Sequence, residues 1–264
     1  MRRVGYPAHW LRPDEVRAWT PGVDAGAIPA EGAIFNPGEG WVELAALIDH
    51  LCTQLVARGG TIRTDAGRCR SVVRGDRVTG VRTGTGDTLV VDAAVLATGP
   101  AVPGTVAELG IRVPDATPVA LLVRTSAVPT PLRAVLNTPR VAVRPTPRGS
   151  LVLDAGWSEK EVVVRRDGTY EVRETTVQDL LREASAVLQG NPQLTLESYG
   201  VGLKPVPADG EPVVGELPGV SGYHLAFTHS GATIGLVIGE LLADEVVTGE
   251  RSPLLETFRP SRFA

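Results

Sequence analysis

Residues 226–249 read AFTHSGATIGLVIGELLADEVVTG, a polar cluster of Thr228, His229 and Ser230 that leads into an apolar run carrying Gly231, Gly235 and Gly239. A strand that turns into a helix here would leave free the backbone N–H groups of the first helical turn, near Gly231, Ala232 and Thr233, with the positive end of the helix dipole behind them. Such a head favours negative charge. Ser230 is also an ordinary N-cap residue type, which accounts for it without any ligand. The glycines fall four apart and therefore stack on one helix face, where each costs on the order of 1 kcal/mol relative to alanine. Either a neighbouring strand or a flat ligand must approach that face closely. Upstream, GLKPVPADGEPVVG sets Lys204 beside a proline turn, with Asp209-Gly210 as a second turn. A solvated surface lysine is the ordinary case, and its place at the end of a β-rich run argues mildly otherwise.

Two other chemistries fit less well. THSGA has Thr228 and Ala232 where a hydrolase nucleophile elbow, GxSxG, needs glycines. His224 and His229 are spaced so that a strand would point them to opposite faces, and no carboxylate stands at a suitable spacing, so no metal site is expected. His9 and His50 read as surface residues.

These residues need elements to hold them. From Trp41 to Arg58 the apolar residues Leu44, Leu47, Ile48, Leu51 and Leu55 recur at helical spacing, and Gly59-Gly60 supplies the stop. TIRTD, CRSVVR, RVTGVRT and TLVVD follow as short β-rich runs separated by turns, an antiparallel meander. AAVLATGP is continuously apolar, like a strand buried on both faces, and ends at Gly99-Pro100. VALLVRT, RVAVRPT and SLVLDAG predict a second, mainly antiparallel sheet, and a helix is predicted over about Thr176–Leu188. LTLESYGVGL and GYHLAFT read as further strands. The first forty residues, rich in Pro and Gly, read as loop.

Composition narrows the function classes. The 264 residues carry 26 basic and 30 acidic side chains, a net charge of -4, which gives no reason to expect nucleic acid or an anionic membrane as partner. Cys52 and Cys69 are too far apart for a zinc knuckle, a CxxC redox pair or a disulfide scaffold, so a reducing cytoplasm is the expected compartment. Neither a signal peptide nor a membrane span is expected, because MRRVGYPAHW lacks a following apolar core and the apolar stretch 225–247 is broken by charges.

The run from Gly202 through THSGATIGLVIGELLADEVVTG to PLLETFRPSRF resembles the C-terminal signature of the FAD-dependent amine and amino-acid oxidoreductases of the D-amino-acid oxidase superfamily, in particular the glycine oxidase and sarcosine oxidase branch. VVDAAVLATGP and WVELAALIDHLCTQLVARGGTIRT resemble further segments of that family in the family's order. The resemblance implies an α/β protein with α+β character, in which an incomplete Rossmann-like FAD-binding domain (33–115 and 200–264) is interleaved with an antiparallel substrate domain (116–199) after a loop-rich segment, 1–32. It also implies that His229, Ser230, Gly231, Ala232 and Thr233 lie against the flavin ring and that Ala97, Thr98 and Gly99 pass its phosphates. Cys69 and Gly202 complete the implied FAD contacts. Hydride transfer to the flavin from a C–H beside an amine nitrogen is the implied reaction, followed by reoxidation by oxygen or another acceptor.

Two departures stand out. Lys204 falls where glycine-oxidase-like members carry an arginine that clamps the substrate carboxylate. A lysine cannot make that bidentate fork, so the expected substrate is anionic without being fixed as an amino acid. Family members also open with a strand, a GxGxxG turn and a helix that grip the pyrophosphate, and the glycine pairs at 38–40, 84–86 and 200–202 do not qualify as substitutes. Three alternatives to a self-sufficient enzyme follow: a truncated reading frame, a non-catalytic remnant, or a subunit whose partner chain supplies the dinucleotide-binding elements. Lys204 and His229 are the expected catalytic-site residues, for substrate anchoring and for flavin contact or substrate polarity.

Overall fold

A computed structural model describes residues 5–264. The fold is of α/β class with antiparallel sheets, as expected, and the chain divides into two compact units, Met1–Glu43 with Val119–Gly202, and Leu44–Pro118 with Leu203–Ala264.

The first unit is built on a five-stranded sheet in the order Leu196–Leu203, Val119–Thr125, Leu151–Asp154, Ala142–Pro145, Leu136–Asn137. Leu151–Asp154 pairs antiparallel with both of its neighbours. Alternation sends Leu121, Val123, Val143, Leu151 and Leu153 to one face, where they meet Val177, Leu180, Leu181 and Ala184 of the helix Glu174–Val187. This stripe matches the helix expected over 176–188. Residues 5–40 are more ordered than a loop. His9–Leu11 pairs with Ala33–Phe35, the helix Pro13–Trp19 lies between them, and Leu11, Val16 and Val23 enter the same core. Two three-residue strands are too short to show a period, which is why proline and glycine dominated the reading of that stretch.

The second unit holds two three-stranded sheets. Arg70–Arg74, Arg77–Arg82 and Thr88–Val90 form the expected meander, but TIRTD contributes no strand to it. A three-stranded sheet runs Val213–Glu216, Tyr223–Phe227, Ala94–Leu96, with the last pair parallel. Val78, Val102, Val106, Val213, Leu225 and Phe227 form the core beside it. Strand Ala94–Leu96 corrects an expectation. It is an edge strand, and Val95 is 48% exposed where burial on both faces was expected. The helix Leu44–Ala57 falls within the expected span Trp41–Arg58 but starts three residues later, and it buries none of its residues, so its apolar stripe of Leu44, Ile48, Leu51 and Leu55 lies open. The last helix, Gly231–Thr248, ends on Gly249 in the left-handed conformation at φ 74°, where the Gly249 N–H caps the Glu245 carbonyl. Among the described residues no helix is long and apolar enough to cross a membrane.

Candidate functional site

The second unit assembles the opening motif from strand Tyr223–Phe227, the turn Thr228–Ser230 and helix Gly231–Thr248. Ser230 occupies the N-cap, yet its side chain makes no capping hydrogen bond. Its carbonyl accepts the N–H groups of Thr233 and Ile234, and its own N–H donates to Thr228 Oγ1 at 3.1 Å. Capping therefore does not account for the Ser230 hydroxyl. The glycine stripe is equally informative. A Cβ built on Gly231, Gly235 or Gly239 would meet no atom within 4 Å. No strand of the described chain approaches this face. Instead it borders a cavity of about 430 Å³ whose other walls include Ala97, Gly99, Pro205, Ile238 and Leu242.

Residues of the Ala94–Leu96 strand and the turn after it divide between two cavities. Ala97 and Gly99 face the glycine cavity, whereas Thr98 joins Cys69 around a second space of about 570 Å³, and Val95 borders both. Gly99 has a φ of 56°, which explains glycine where the chain passes from the strand into a turn of 3-10 helix. Cys69 is exposed and its thiol lies 3.7 Å from the Gly67 carbonyl. Beside it Arg68 and Arg70 both engage Glu108.

Of the expected site residues, Ala97, Gly99 and Gly231 are thus brought to one cavity, and Cys69 and Thr98 to the other. Lys204, partly buried, holds its backbone N–H to the Pro118 carbonyl and immediately precedes the cavity wall at Pro205. His229 and Ala232 are exposed at the helix head, with Thr233 in its first turn. Gly202 belongs to the first unit.

Tyr223 was missed. The residue is 1% exposed, it lines the second cavity, and among the described residues its hydroxyl has no hydrogen-bond partner. Burial raises its phenol above the ordinary value, and the nearby Ser71 tempers the shift without completing a hydrogen bond. A strand tyrosine between apolar neighbours reads as core, so the sequence carries no sign of the orphaned hydroxyl.

The arrangement suits a flat group carrying polar edges. Open glycine faces admit it, and the helix head favours negative charge on it. No group of three or more metal-ligating side chains occurs among the described residues.

Comparison with known proteins identifies the family. The sequence pattern of the DAO family, FAD dependent oxidoreductase, matches residues 1–245. A D-amino acid dehydrogenase of Cereibacter sphaeroides is 31% identical over 267 residues, an alignment that takes in 97% of this chain and 58% of that protein. The chain therefore spans a little over half the length of that relative. L-proline dehydrogenase from P. horikoshii superposes with a TM-score of 0.84 at 16% identity, covering 99% of this chain and 70% of that one. Glycine oxidase from Geobacillus kaustophilus superposes at 0.81 and 23% identity, covering 100% and 69%. At these identities the likeness to solved structures establishes the fold.

Proposed function

Because the chain belongs to the family of FAD dependent oxidoreductases, whose cofactor is FAD, we propose that it forms the flavin-ring side of an enzyme that oxidises a small, anionic amine or amino-acid-like substrate. The observation that carries this reading is the glycine face of helix Gly231–Thr248, which borders open space although each glycine weakens the helix. FAD, when bound, supplies a two-electron acceptor for the hydride of a C–H beside the substrate nitrogen. The chain's part is placement and electrostatics. The backbone N–H groups at the head, from Gly231 to Thr233, stabilise negative charge that develops in front of them. His229 contacts the ring or polarises the substrate from the same turn. Ala97 and Gly99 would hold the cofactor from the first cavity, and Cys69 and Thr98 from the second. Lys204 attracts the anionic group of the substrate as a point charge.

A test of Lys204 is direct. Replacing it with Met raises KM for an anionic substrate far more than for a neutral one, and equal effects on both would remove Lys204 from the site.

A second reading concerns a partner. The edge strand Ala94–Leu96 and the bare apolar stripe of helix Leu44–Ala57 favour a subunit completed by another chain that carries the pyrophosphate-gripping turn. Light scattering after size exclusion tests it. Association or poor solubility is expected, and a monodisperse monomer at high concentration would contradict it.

A further inference from the structure

The face of the first unit's sheet that turns away from its core carries two arginines in lateral register. Val152 is the Cα partner of Arg124 on one neighbouring strand and of Arg144 on the other, so all three side chains project from the same face. Two strand spacings separate the arginine Cα atoms by about 10 Å, and their long side chains can lean together over Val152. Val152 is buried although it lies outside the core cluster, as a residue flanked by two arginine stems would be.

Neither guanidinium is spent on a strong protein partner. Arg144 Nη1 is buried without a hydrogen-bond partner, and the Glu43 carboxylate stands 3.9 Å away, too far to satisfy it. Trp41 stacks near the same guanidinium, 5.4 Å from its ring centre, and limits its swing. Among the described residues Arg124 reaches only Ser150 Oγ, at 3.5 Å. An orphaned donor on a half-buried guanidinium costs free energy unless a ligand takes it up. Glu43 and Asp154 also border this face and balance its charge. Selection would therefore come from placement rather than from bulk attraction.

We propose that Arg124 and Arg144 form a two-point site for a small dicarboxylate, each guanidinium taking one carboxylate, with Trp41 as its wall. This deepens the reading of the substrate as anionic and rests on it only in identifying this ligand with the substrate, whose class would then be an amino dicarboxylate.

The test is calorimetric titration of the full chain with glutarate and, separately, butyrate, with Trp41 fluorescence followed in parallel. Glutarate binding at least tenfold tighter than butyrate is expected, and Arg144→Lys and Arg124→Lys should each bring glutarate roughly to the butyrate level, since lysine keeps the charge but not the fork. A fluorescence change on glutarate binding should vanish in Trp41→Phe. Equal affinity for the two acids, or lysine variants that bind glutarate like the parent while showing parent circular dichroism, would overturn the site. FAD titration of the same proteins separates the two ideas. Glutarate binding without flavin binding keeps the site and removes the flavoenzyme reading, and flavin binding without a dicarboxylate preference does the reverse.

Discussion

Truncating Glu245 should unseat the C-terminal turns. Arg259 and Glu245 are 5% and 6% exposed and form a buried, two-pronged ion pair, in which Arg259 Nη1 donates to Glu245 Oε2 at 2.7 Å. The same carboxylate accepts the Ser252 N–H at 2.6 Å, and Arg259 Nη2 donates to the Ser252 carbonyl at 3.0 Å. The pair thus ties helix Gly231–Thr248 to the 3-10 turns Pro253–Phe258 and Pro260–Phe263. Glu245→Ala leaves the buried guanidinium with only the exposed Glu256 carboxylate, 3.5 Å from Nε, as its acidic partner, which costs about 3–5 kcal/mol. At about 2–4 °C per kcal/mol for a chain of this size, Tm should fall by roughly 6–20 °C. Replacing both partners with methionine removes the buried charges together and should recover most of that loss. Thermal unfolding followed by circular dichroism provides the measurement. A Glu245→Ala shift below about 2 °C, or a double variant no better than the single, would refute the reasoning.

Acid dependence follows from the same pair. Burial opposes the Glu245 charge, but the Arg259 hydrogen bonds and the Ser252 N–H outweigh it, so the folded carboxyl sits below its ordinary value of 4.5. The pair's contribution is therefore complete above that value and lost as pH falls through the lower folded one, and Glu245→Gln should flatten this part of a stability–pH curve. Tyr223→Phe removes a buried hydroxyl without a partner and should stabilise the chain measured without flavin by about 1 kcal/mol in urea titration. A loss of similar size would mean that the hydroxyl is bonded. Leu51→Glu, on the bare stripe of helix Leu44–Ala57, should leave Tm within about 2 °C but raise the solubility limit. An unfolded variant would show that the stripe is covered.

How legible these features were depended on their range. Local periodicity identified the helices now seen at Leu44–Ala57 and Glu174–Val187, each a repeat within one element, and turn pairs marked the meander from Arg70 to Val90. The glycine stripe was equally local, and the structure adds that no described strand packs closely on it. Features that join distant elements stayed hidden. Glu245 and Arg259 are 14 residues apart across a turn, and nothing in either local pattern pairs them. Arg124 and Arg144 alternate visibly with apolar neighbours, but only the strand register brings both beside Val152. The exposure of Val95 was misread for the same reason: a continuously apolar run shows what a strand could bury, while the sheet order decides what covers it.

The central claim, that the glycine face of the last helix seats the flavin, is tested most directly by FAD titration of the chain beside Gly231→Val and Gly235→Leu. The account predicts saturable quenching of flavin fluorescence by the parent chain, lost in both variants while their circular dichroism and Tm match or exceed the parent's, since both side chains enter open space and relieve helix glycines. No flavin binding by the parent at 100 micromolar FAD, a concentration of roughly the order that separates specific from incidental binding, or undiminished binding by both variants, would contradict it.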